Sequence, residues 1–165
     1  MKKVLFFLMM LLAGLTTLKA QTITFSPTVA PGSAGYLPSN NSSGGISFII
    51  DNTNPFPAVL TSLTYWNSVA ATKDFVLWYA PTTTTMPLAA WPPTVAAGWN
   101  PIASVTGVSM GAAVQSTIFP ILAFNIPGNT AYRFYLTSAN VQYTGTTVIP
   151  NPSGVSPVSF SNSGV

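Results

Sequence analysis

Beyond residue 20 the charged side chains are Asp51, Lys73, Asp74 and Arg133, and the whole chain holds no His, Cys or Glu. Catalysis at neutral pH draws on groups that titrate or hold a metal. No Ser-His-Asp set, carboxylate pair or phosphate-binding loop can be assembled from these residues. A Ser or Thr nucleophile has Lys73 as its one formal base, without a supporting motif. Asp51, Asn52 and Asn54 could offer oxygen ligands to calcium. A single carboxylate is thin for a calcium cage, and the simpler reading is an Asx turn that closes a strand. The expectation is a non-enzymatic protein with no metal and no cofactor. Lys73 and Asp74 read as a solvated pair worth little as an ion bridge.

The aromatics are the better lead to a ligand. Trp66, Trp78, Tyr79, Trp91 and Trp99 are many for one small domain. Exposed rings of this kind could form a sugar-stacking platform, with Trp91 and Trp99 on a Pro-rich loop and Trp78 beside them. The plainer role is to cap the ends of the core, since large rings gain much from burial. Arg133 could stack on a neighbouring aromatic and bind a carboxylate, or lay its stem over apolar surface. The candidate ligand-binding set is therefore Trp78, Trp91, Trp99 and Arg133.

These residues must be positioned by strands. Good helix formers are scarce and Pro recurs. Short β-favouring runs alternate with turn residues. Strands are predicted at residues 22–26, 46–51, 58–66, 74–80, 102–109, 117–126, 131–137, 141–144 and 155–160, the last less firmly marked than the others. The loop before residue 46 is rich in Gly, Ser and Asn. Residues 82–101 read as a long loop, with a helical turn near 88–91. Residues 131–137 and 141–144 look like a hairpin. Pro120 marks an edge or a bulge. The fold class is all-β, an antiparallel β-sandwich of jelly-roll type with about eight or nine short strands.

Residues 1–20 read as a cleavable signal peptide: Lys2 and Lys3, an apolar stretch over 4–15, and a cut after Ala20. The apolar run is shorter than the ~20 residues that span a bilayer. The formal charge of +3 comes from Lys2, Lys3 and Lys19. The mature chain balances two acids against two bases, which removes the footing for nucleic acid or anionic lipid as partner. Residues 21–165 are enough for one core without disulfides.

The segments GISFIIDN (45–52), VLTSLTYW (59–66), DFVLWYA (74–80), AAGWNPIAS (96–104), IPGNTAYRFYLT (126–137) and VQYTG (141–145) carry a resemblance. Together they resemble the N-terminal β-sandwich module of large secreted and cell-surface proteins of the Bacteroidota, the kind exported by the type IX system. The resemblance implies an exported, non-enzymatic module; the expected location is secreted or at the cell surface, the expected role structural or adhesive, and the expected partner a surface glycan or another surface protein. It transfers no functional residue. In such modules the pattern continues past the equivalent of residues 161–165, so a longer parent protein is expected. The Asn40 and Asn41 sequons carry no weight in a bacterial exporter.

Overall fold

The computed structural model describes residues 39–67, 69–84, 93–112, 114–143 and 158–162. Nine strands and one 3-10 turn lie within them: β1 Ser39–Asn52, β2 Ala58–Leu60, β3 Leu63–Asn67, β4 Ala71–Pro81, β5 Asn100–Met110, β6 Val114–Phe119, β7 Phe124–Ile126, β8 Thr130–Tyr143 and β9 Val158–Asn162. The protein is all-β. One sheet runs β5-β4-β8-β1-β9, and β2-β7 and β3-β6 form two separate ladders. Every pairing is antiparallel.

The main core gathers one face of the large sheet with both ladders. Phe48 and Ile50 of β1, Phe75 and Leu77 of β4, and Phe134 and Leu136 of β8 meet Tyr65, Ile118, Phe119 and Ile126. Alternation along each strand sends these side chains to a shared face. Phe48 stacks on Phe134 across the β1-β8 pair, with centroids 5.4 Å apart. Tyr79, Phe124 and Tyr132 extend the packing with tilted and edge contacts.

Several strands differ from the sequence expectation. β1 begins at Ser39, inside the segment expected to be a loop, because β8 offers partners as far as Ser39↔Tyr143, with irregularities on both sides of Ser43. Residues 58–66 divide into β2 and β3, which join different ladders. Residues 117–126 divide at Pro120, which has no N–H to give a ladder, and Leu122 N then donates to Thr61 O at 2.6 Å. The expected hairpin over 131–144 is one continuous strand, β8. β1 and β8 are each 14 residues long, so not all strands are short. The expected strand at 22–26, the helical turn at 88–91 and the leader lie outside the described residues.

β5 carries two irregularities. Thr106 and Gly107 together face Asp74, and Ile102 is an extra residue beside the Leu77–Trp78 step. Gly107 adopts φ +67, and its N–H donates to the Asp74 carboxylate at 2.8 Å. Asp74 therefore holds a bulge in the neighbouring strand, a role that its place beside Lys73 did not suggest. Bulges of this kind discourage further strand addition at an edge.

Candidate functional site

Residues 134–136 on β8 are all buried, at 0%, 1% and 1% exposure. Successive side chains on a strand point to opposite faces, so the sheet is covered on both sides here. Phe134 and Leu136 belong to the main core. Tyr135 belongs to a second cluster with Ala80 and Trp99, and Trp78 packs against it.

The strands set this cluster by register. Trp78 on β4 faces Tyr135 on β8, and Ala80 faces Arg133. On the other side, β1 places Ser47 opposite Tyr135 and Ile49 opposite Arg133. The Tyr135 ring leans over Gly45, filling the space a side chain there would need. Burial pushes the Tyr135 phenol well above its ordinary pKa.

Trp99 reaches the cluster from the loop before β5. A 3-10 turn over Val95–Ala97 starts at Thr94, whose hydroxyl accepts from Ala97 N at 3.3 Å. Gly98 closes the turn at φ +85, and its N–H donates to Val95 O at 3.0 Å. Glycine reaches that left-handed conformation without steric cost. Trp99 N then donates to Thr94 O at 3.2 Å, which folds the indole back onto the sheet. There its ring meets Tyr135 edge-on, with centroids 5.8 Å apart and planes at 79°.

Arg133 secures the neighbouring turn. Its Nη1 donates to Thr84 O at 3.1 Å, and Thr84 N donates to Pro81 O at 2.9 Å. Thr84 lies beside Gly98, so the two turns touch. Three N–H donors in this region are sealed from solvent with no acceptor among the described residues: Trp78 Nε1, Trp99 Nε1 and Arg133 Nε.

The structure thus brings Trp78, Trp99 and Arg133 to one face of the sheet. Trp91 lies outside the described residues, and so does the side chain of Trp66. Trp99 is fully buried, so its ring offers no open stacking platform. Sequence reasoning missed Tyr135 as the centre of the cluster. The alternation in AYRFYLT places it on the Arg133 face, and that signal was available.

The calcium candidates separate. Asp51 and Asn52 are neighbours on β1 and point to opposite faces. Asn52 is fully buried, and its Nδ2 lies within hydrogen-bonding distance of the carbonyls of Phe56 (2.9 Å), Ile126 (3.1 Å) and Pro127 (3.0 Å). Its Oδ1 accepts from Asn54 N, and Asn54 Oδ1 accepts from Phe56 N. The two Oδ1 contacts are Asx-type turns within the loop after β1, and the Nδ2 contacts tie that loop to the turn before β8. Among the described residues no group of three His, Cys, Asp or Glu could hold a metal.

No family model, curated protein or solved structure matches this chain.

Proposed function

We propose that this chain is an exported, non-enzymatic β-sandwich module with a structural or adhesive role at a bacterial cell surface. The resemblance to the N-terminal module of Bacteroidota surface proteins and the leader-like residues 1–20 motivate the reading. One observation carries it: the polar side chains that could have done chemistry serve the backbone instead. Asn52 binds the loop and turn carbonyls, Asp74 holds the Gly107 bulge, and Arg133 holds the Thr84 turn. A domain built this way presents neutral Thr, Ser and Asn surface to a glycan or protein partner.

The test is export. A C-terminally tagged chain is expected outside the cytoplasm, with Gln21 as its first residue by N-terminal sequencing. Retention in the cytoplasm with residues 1–20 intact overturns the reading. Sugar stacking on an exposed tryptophan is the second reading. Trp78, half-buried, is the remaining described candidate for it, since Trp99 is closed off.

A further inference from the structure

We propose that Arg133 and the indole N–H groups of Trp78 and Trp99 form a binding site for a carboxylate. The three share one face of the sheet around Tyr135. Among the described residues no ion pair engages Arg133. Asp74 is committed to the Gly107 N–H, and Arg133 has turned one nitrogen to the Thr84 carbonyl. Its Nε and both indole nitrogens are buried donors without acceptors among the described residues. Trp99 is fully buried, so its N–H has been taken from water with no described acceptor in exchange.

The chemistry of the set selects the ligand. All three groups donate and none accepts. One fixed positive charge balances one negative charge. The planar guanidinium matches a planar carboxylate, and the neutral indole donors add hydrogen bonds without further charge. A doubly charged phosphate would be left half-compensated in an apolar surround. The carboxylate could belong to an acidic sugar or to a simple organic acid.

The turn over residues 94–98 is the way in. All five residues are exposed, and Trp99 is their one anchor in the cluster among the described residues. Sealed donors without acceptors weaken the closed form. Water or a carboxylate satisfies them once the turn lifts, which favours local opening here over opening of the main core.

The inference stands independently of the export reading. Its test uses the purified full chain, with tryptophan fluorescence followed during titration with glucuronate, acetate and glucose. Glucuronate is expected to give a saturable change that weakens as ionic strength rises, and glucose none. Arg133→Gln should weaken glucuronate binding by about tenfold or more. Acetate as tight as glucuronate supports a bare carboxylate site, and acetate much weaker supports an acidic sugar. No response to either anion, an equal response to glucose, or unchanged affinity in Arg133→Gln overturns the proposal. Should Arg133→Gln not fold, Trp78→Phe decides: it keeps a ring and removes the N–H. Affinity lowered about threefold or more supports the site, and unchanged affinity overturns it.

Discussion

The ring of Tyr135 on β8 occupies the space beside Gly45 on β1 where a side chain would stand. A Cβ at position 45 would also meet the backbone oxygen of Leu136 at 2.6 Å, and a backbone atom cannot swing aside as a side-chain tip can. Gly45→Ala is therefore expected to lower stability by about 1–3 kcal/mol through overpacking. Chemical denaturation of the variant against the parent measures it. A midpoint unchanged within error would show that the ladder yields at this point.

Gly107 makes the opposite case. A Cβ there meets nothing within 4 Å, yet its φ of +67 lies in the left-handed region. Gly107→Ala should cost about 1–2 kcal/mol by conformation alone. Gly107→Asn should cost less, because Asn tolerates that region. Thermal melts of the two variants distinguish the ideas, and equal losses would point to the Asp74 contact instead.

Asn52 joins the loop after β1 to the turn before β8 through carbonyl contacts and one Asx turn. Asn52→Ala removes the donor and leaves buried carbonyls unsatisfied. A loss of about 3 kcal/mol or more is expected. Amide hydrogen exchange should quicken in residues 53–57 and 126–129 before it does in β4. Uniform quickening across the sheet would contradict a local clamp.

Tyr135 and Lys73 give the alkaline behaviour opposite signs. Burial raises the Tyr135 pKa above 10.0. Above that pH the unfolded chain loses this proton while the folded chain keeps it, so stability falls as pH rises. Burial lowers the Lys73 pKa from 10.5. Below 10.5 the unfolded chain holds a proton the folded chain has begun to release, so stability rises with pH there. The Tyr135 effect is the larger and governs above pH 10. Tyr135→Phe should flatten the alkaline decline in stability measured by urea titration from pH 8 to 11. A decline of the same slope in the variant would assign it elsewhere.

The all-β class was legible because scarce helix formers, frequent Pro and β-favouring runs all point one way. The shared face of Arg133 and Tyr135 was legible from alternation in AYRFYLT. Strand limits were less so. Ser39–Gly45 reads as a loop by composition, and only pairing to β8 makes it a strand. Pro120 could be seen as a disruption, but whether it bends or divides a strand depends on which ladders lie nearby. Burial was the plainer reading for Trp99, but its route was hidden, because it follows from a turn closed by Thr94 and Gly98 and not from any periodicity. The Asx turn at Asn52 could be read from ISFIIDNTN, whereas its reach to Ile126 and Pro127 could not, being set by residues distant in the chain.

The position of β8 in the sheet has a bearing on how the molecule is made. β8 lies between β4 and β1, and it pairs with both. It is also made after both of them. Until residues 130–143 emerge, β1 has no neighbour and the β4-β5 pair has nothing to join it to β1. Contacts of such long sequence separation make folding slow, and unpaired strands are prone to aggregate in the interval. The two parts of the sheet therefore stay apart, or are held apart by a chaperone, until β8 is present. That requirement is compatible with passage through a narrow channel as an unfolded thread.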